Sequence, residues 1–202
     1  MGPPTSGKSS VASLLSKEFR TRLIRGRDVV PNLTETYGSF RSLIPDRIFL
    51  PKLKGKMDGL GDRENITLDN IPRTKMQAEL IVDWSVTFRA TVVTILLNLS
   101  KQEVVDRVKG RLTCPTCGES YHQLLKPPKW GGLCDNDRNA LTVRSGDKDI
   151  KIVEKAFEDY SRLVGSLLGI LETKSTVVQI PASGTVNQTY MSLISKLRVK
   201  GN

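Results

Sequence analysis

The apolar positions along this chain change period several times, and each change marks an element. Val11, Leu14, Leu15 and Phe19 recur at helical spacing over residues 9–19, so one face of a helix carries them. Leu23-Ile24, closed by Gly26, predicts a short strand. Residues 28–37 and 46–57 predict modest helices, the second weakened by Pro51, which has no N–H to donate. Residues 65–68 read as a strand after the turn Gly59-Leu60-Gly61-Asp62, and residues 74–88 as a helix. Residues 91–99 (TVVTILLNL) form a nearly continuous apolar, β-branched run, the pattern of a strand buried on both faces. Residues 100–109 predict a helix with Ser100 as N-cap and Glu103 as its capping-box partner.

The pattern then breaks. Residues 110–146 are rich in Gly, Pro, Cys and Asn, lack helical periodicity, and read as an inserted subdomain. Helical spacing returns over 147–171, with Ile150, Val153, Phe157 and Tyr160 on one stripe. Residues 176–180 predict a last strand and 186–199 a closing helix. Strands alternating with helices predict an α/β fold, a parallel sheet flanked by helices.

Composition narrows the class. A chain of 202 residues can bury one substantial core with small insertions. No apolar run approaches the ~18 residues of a membrane span, and the Met-Gly-Pro-Pro start lacks a signal-peptide pattern. The expectation is a cytoplasmic protein without membrane partners. Three cysteines, two of them as Cys-x-x-Cys, argue against a disulfide framework and for thiolates on a metal. The net charge of +10 favours anionic partners. The basic residues are spread along the chain, and aromatics are only 5%, too few for base-stacking platforms. Nucleotide phosphates therefore fit better than nucleic acid.

Gly2-Pro-Pro-Thr-Ser-Gly-Lys-Ser9 matches G-x-x-x-x-G-K-[ST] at every fixed position. Small residues let successive backbone N–H groups turn inward around phosphate oxygens. Lys8 supplies a mobile charge to the outer phosphates, and Ser9 a hydroxyl beside the magnesium. The helix that follows aims its positive end at the same anion. Such a loop normally leaves a buried central strand, yet only Met1 precedes it. The expectation is that the start is an internal methionine of a longer product, or that the strand is missing.

Cys114-Pro-Thr-Cys117 and Cys134-Asp-Asn-Asp137 form two short hooks separated by sixteen residues. Two hooks across a loop place four ligands tetrahedrally around Zn²⁺, and a closed shell implies structure rather than catalysis. His122, the single histidine, is a rival fourth ligand. Unmetallated surface cysteines are the competing reading.

Together these segments resemble adenylate kinase in its long form, with a zinc-bearing lid. Thr67-Leu-Asp-Asn-Ile-Pro-Arg-Thr74, followed by Gln77-Ala78, is similar to the family's L-D-G-F-P-R-T and Q-A. Asp106-Arg-Val-Lys-Gly-Arg111 resembles its R-x-x-G-R, and Cys114 to Tyr121 its C-x-x-C-G-x-x-Y. Pro127-Pro128-Lys129 resembles its P-P-K and Leu141-Thr-Val-Arg144 its L-x-x-R. Leu43-Ile-Pro-Asp46 resembles the L-V-P-D of its monophosphate-binding arm. The resemblance covers essentially the whole chain apart from the first strand.

The resemblance implies a P-loop core over 1–109 and 147–202, with a monophosphate-binding arm near 28–58 and a zinc-clipped lid over 110–146. It implies a monomeric kinase transferring a phosphoryl group from MgATP to AMP. ATP would be held by Gly2, Thr5, Ser6, Gly7, Lys8, Ser9 and Ser10, with Arg107, Arg111, Ser120 and Tyr121 from the lid side, Tyr121 lining the adenine. AMP would be held by Arg25, Ile44, Asn70, Arg73, Gln77, Arg144 and Lys155, with Arg73 on its phosphate and Gln77 on its base. Lys8, Arg73, Arg107, Arg111, Arg144 and Lys155 would act on the transferring phosphate. Asp69 would organise the magnesium shell through water, and zinc would sit on Cys114, Cys117, Cys134 and Asp137. The chemistry agrees: phosphoryl transfer needs positioning and charge neutralisation, forked guanidinium groups grip phosphate in two places, and a closing lid excludes water.

The acceptor side departs from the pattern. The family's S-T-G-D-x-x-R reads Ile24-Arg-Gly-Arg-Asp-Val-Val30, so its Thr is Arg25 and its Arg is Val30. Asn70 replaces a Gly, Gly146-Asp147 an Asp pair, and Lys155 an Arg, which keeps the charge but loses the fork. Arg25, Arg27 and Arg41 are candidates to take over phosphate contacts. The open readings are an AMP kinase, a kinase for another monophosphate, and a nucleotide- or RNA-binding protein with weak or no transfer.

Overall fold

The computed structural model describes residues 1–31, 44–61 and 64–200. Its elements follow one another as α1 (Lys8–Glu18), β1 (Arg22–Arg25), α2 (Gly26–Val29), α3 (Asp46–Asp58), β2 (Ile66–Asp69), α4 (Lys75–Thr87), β3 (Val92–Asn98) and α5 (Lys101–Lys109). There follow β4 (Arg111–Thr113), β5 (Ser120–His122), α6 (Ile150–Leu171), β6 (Ser175–Pro181) and α7 (Val186–Lys200). β1 and β2 pair in parallel with Arg22 opposite Ile66 and Arg25 opposite Asp69. β3 pairs with β6, and β4 with β5 in antiparallel register. The mixed α/β architecture, with its parallel strands and helices, is that of a P-loop core.

Two compact units divide the chain. One comprises Met1, Lys8–Leu96 and Leu163–Gln179; the other Gly2–Gly7, Leu97–Arg162 and Ile180–Asn202. In the first unit Ile24, Val29, Phe49, Leu53, Met57, Ile71, Ala78 and Ile81 bury together with Leu167 and Leu171. Each of these side chains larger than alanine contributes about 1.5–3 kcal/mol by leaving water. Pro51 sits inside α3 but on its exposed face, where water can serve the carbonyl that loses its ladder bond. In the second unit Val104 and Val108 of α5 bury against Val153 of α6, flanked by Ile150 and Phe157. The predicted stripe on this helix is therefore its packing face.

Three predicted boundaries move. The helix expected over 28–37 begins at Gly26 and ends at Val29, and its later part lies outside the described residues. The helix expected from Asp147 begins at Ile150. Asp147 instead spends its carboxylate on Arg111, and Asp149 accepts from the Lys151 N–H at 2.9 Å, capping the first turn. Phe19 falls beyond the end of α1 and is half exposed. The central run over 92–98 is a strand, although Val93 and Asn98 are exposed, so only part of it is covered on both faces.

Candidate phosphate loop, acceptor cradle and metal lid

The opening loop is built by close approach. A Cβ on Gly2 would stand 2.7 Å from Ser6 Oγ and 2.8 Å from the Leu97 carbonyl, so no side chain fits there. Thr5 holds a left-handed backbone (φ 62°), a conformation that costs a β-branched residue of the order of 1–3 kcal/mol. Its carbonyl accepts from Arg107 Nη1 at 3.3 Å, and Arg107 Nη2 also donates to the carbonyls of Ala182 and, at 2.7 Å, Gly184. Burial lowers the pKa of this guanidinium, and Glu103 opposes the shift. Ser6 Oγ is buried without a hydrogen-bond partner. The loop then enters α1, which begins at Lys8, so its first amide groups have no intrahelical acceptor. Ser9 is exposed and Ser10 half-buried.

Met1 packs against the core of the first unit, and its α-amino group donates to the Ile95 carbonyl. Burial and then Lys8 lower that amine to about 5. Asp69, at the end of β2, is 4% exposed and its Oδ1 has no partner. A buried carboxylate oxygen with a free lone pair suits a magnesium-bound water, so the residues present fit that ion.

The expected acceptor residues of the first unit gather where β1 and β2 end. Gly26 lies under the Asn70 carbonyl, 3.3 Å from a Cβ built there, and Asn70 is left-handed (φ 61°). Asparagine is one of the few side chains that tolerates this conformation, which accounts for the replacement of a glycine. Arg25 Nη2 donates to Ser13 Oγ at 3.2 Å, and Arg25 Nη1 stands 3.9 Å from Asp28. Arg73 is half-buried, and burial lowers its pKa. Gln77 is buried, with its amide oxygen accepting from the Arg73 N–H at 2.8 Å. Ile44 packs against the same core, partly buried. Arg27 pairs with Asp28 at 3.6 Å, and Arg41 lies outside the described residues. In the second unit Arg144 is half-buried and Lys155 exposed on α6.

Residues 111–145 carry the cysteine hooks. Donor atoms of Cys114, Cys117, Cys134 and Asp137 all lie within 4.8 Å of one another. Cys117 Sγ and Cys134 Sγ are 3.5 Å apart, and Cys114 Sγ is 3.3 Å from Asp137 Oδ2. The Asn139 N–H, above all, holds the Asp137 carboxyl down to about 2. An ionised carboxylate with three sulfurs is a donor set that fits Zn²⁺. His122 stands outside that cluster, and its Nδ1 accepts from the Leu124 and Leu125 N–H groups, both at 3.1 Å. Its ring lies where a Cβ on Gly110 would come within 2.7 Å.

Tyr121 is packed into the lid. It is 3% exposed, its hydroxyl accepts from the Asp135 N–H at 2.7 Å and stands 3.5 Å from Cys134 Sγ. The ring packs in the interior of the lid with Cys114 and Cys134. Ser120 is half-buried beside it in β5. Arg111 at the lid entry grips Asp147 at its exit through Nε, at 2.6 Å, and Nη2. Sequence reasoning passed over the pairing of Asp147 with Arg111 and the carbonyl-binding role of Arg107, because both depend on partners distant along the chain.

Residues 111–145 match the family model for the active-site lid of adenylate kinase. The whole chain aligns with an adenylate kinase of Geotalea daltonii, 27% identical over 98% of this chain and 97% of the relative. An adenylate kinase of Clostridium novyi is 26% identical over 96% and 94%, respectively. Over nearly its whole length the chain is similar to adenylate kinases. The Cys-Cys-Cys-Asp cluster gives this lid-like segment a donor set compatible with zinc. Among the described residues, no helix is long and apolar enough to cross a membrane.

Proposed function

We propose that this chain is a nucleoside monophosphate kinase that transfers a phosphoryl group reversibly from MgATP to AMP, giving two ADP. The observation that carries the reading is the preformed loop: Gly2 with no room for a Cβ, Thr5 held left-handed, and Arg107 anchoring the Thr5 carbonyl. With the Thr5 carbonyl tied back by Arg107, the loop can turn backbone N–H groups toward phosphate oxygens. Lys8 then neutralises the transferring group, and Asp69 orients water on magnesium, whose role is to offset the charge that spreads over the phosphates. Arg73, Arg144 and Lys155 steady the acceptor phosphate, while Arg111 comes from the lid over 110–146. The arm near 28–58 takes the acceptor nucleotide. The protein works as a cytoplasmic monomer, with zinc keeping its lid rigid.

Coupled assays of ADP formation with AMP, CMP, UMP and GMP test this directly. AMP should be the best acceptor, and Lys8→Met should lower kcat by about 10²–10³. Turnover confined to a non-AMP acceptor defeats the reading. Arg25 supports a second reading, a different acceptor, because a guanidinium anchored on Ser13 occupies the family's threonine position. The +10 charge supports a third, RNA binding without transfer, which predicts no turnover and steeply salt-dependent RNA affinity.

A further inference from the structure

Asp46, the first residue of α3, has no part in the roles above. Its Oδ1 accepts two hydrogen bonds, from Thr74 Oγ1 and from Gln77 Nε2, each at 3.0 Å. Thr74 is the N-cap of α4, and its hydroxyl in turn accepts from the Gln77 N–H at 3.2 Å. The other end of the Gln77 amide accepts from the Arg73 N–H at 2.8 Å, and the residue is only 3% exposed. An ionised carboxylate can only accept and a peptide N–H can only donate. The amide therefore has one allowed orientation: nitrogen toward Asp46, oxygen toward Arg73. Reversing it would set oxygen against carboxylate and NH₂ against N–H, on a side chain that is only 3% exposed.

One N–H and one oxygen lone pair of Gln77 remain, and their order along the amide edge is fixed with the rest. Adenine offers an amino donor at C6 beside a ring-nitrogen acceptor, which an amide pairs in one orientation. A 6-oxopurine offers the opposite order, an oxygen acceptor beside an N–H, and needs the amide turned over.

We propose that Asp46 is a positioning residue for base selection: by holding the Gln77 amide in one orientation, it makes the acceptor site choose a 6-aminopurine monophosphate over a 6-oxopurine one. This rests on the reading of Gln77 as the residue that contacts the acceptor base. The test measures kcat and KM with AMP and with IMP for the wild type and for Asp46→Ala, Asp46→Ser, Asp46→Asn and Thr74→Val. The wild type should favour AMP. Asp46→Ala should reduce the AMP-over-IMP ratio of kcat/KM by about tenfold, chiefly through KM for AMP. Asp46→Ser should do the same if the alanine variant does not fold, since its short hydroxyl cannot reach both donors. Asp46→Asn keeps an oxygen for both bonds and should stay within about threefold of the wild-type ratio. Thr74→Val removes the helix cap but leaves the Asp46–Gln77 bond, so the ratio should hold while thermal stability falls. An unchanged ratio in Asp46→Ala or Asp46→Ser overturns the inference. So does a Thr74→Val ratio that falls as far as theirs, which would make the effect one of capping. A wild type that phosphorylates only pyrimidine monophosphates overturns the acceptor reading, and this inference with it.

Discussion

Arg107 places its guanidinium on three backbone carbonyls, those of Thr5, Ala182 and Gly184. A guanidinium has five donors and no acceptor, so it can hold three carbonyls and still offer N–H groups. Its expected role over ATP thus begins one step earlier, in fixing the loop that ATP would meet. Arg107→Ala should leave the strained Thr5 backbone unsupported. Titration with ATP should then show binding weakened by about tenfold or more, with AMP binding changed far less. Arg107→Lys should recover only part of the loss, because an ammonium lacks the fork that reaches separate carbonyls. Equal weakening of ATP and AMP would point to general loosening instead. The arginine itself stands out in the sequence as part of Arg-Val-Lys-Gly-Arg, but its three carbonyl partners lie 75 or more residues away, and no local spacing can announce them.

At the scale of elements, the parts governed by short-range chemistry were legible. The helix over 101–109 has the capping box its Ser-x-x-Glu spacing predicts, with Glu103 Oε2 accepting from the Ser100 N–H at 2.7 Å. The strand over 92–98 and the last strand and helix also follow their apolar patterns. Where sequence reasoning slipped, a tertiary partner decided: Arg111 takes Asp147, and the helix starts three residues later. Tyr121 is buried beside Cys134 Sγ, a packing that the sequence pattern alone does not announce. The capping box also carries a pH dependence. Hydrogen bonds from Ser183 and Ser100 bring Glu103 from its ordinary 4.5 down to about 2. A depressed carboxyl pKa stabilises the fold above the unfolded value, and that contribution disappears as pH falls from about 4.5 to about 2. Thermal unfolding of the wild type should therefore lose stability over this window more steeply than Glu103→Gln does. At neutral pH, Ser100→Ala should cost about 1 kcal/mol, read from denaturant midpoints at constant m-value.

At the scale of the molecule, the lid is the part least able to stand by its own core. Its buried side chains are Cys114, Tyr121 and Cys134, with Leu112 and Leu141 beside them, and its regular structure is one pair of three-residue strands. Such a cluster buries too little apolar surface to offset the entropy of ordering about 35 residues, each costing on the order of 1–2 kcal/mol. A metal bridging both hooks would supply what the core lacks, since binding to a site absent from the unfolded chain adds directly to folding free energy. Purified protein should hold about one zinc per chain, and Cys134→Ser should reduce that sharply. Removing the metal with a chelator should raise amide hydrogen exchange across residues 111–145, while α3 and α4, buried in a different core, keep their protection. Competition with protons gives the same site a second signature: zinc should be released as pH falls, because protons displace metal from thiolates. If the chelated protein kept full protection across 111–145, the strands and Tyr121 would suffice to hold the lid, and the four-donor cluster would have no structural task.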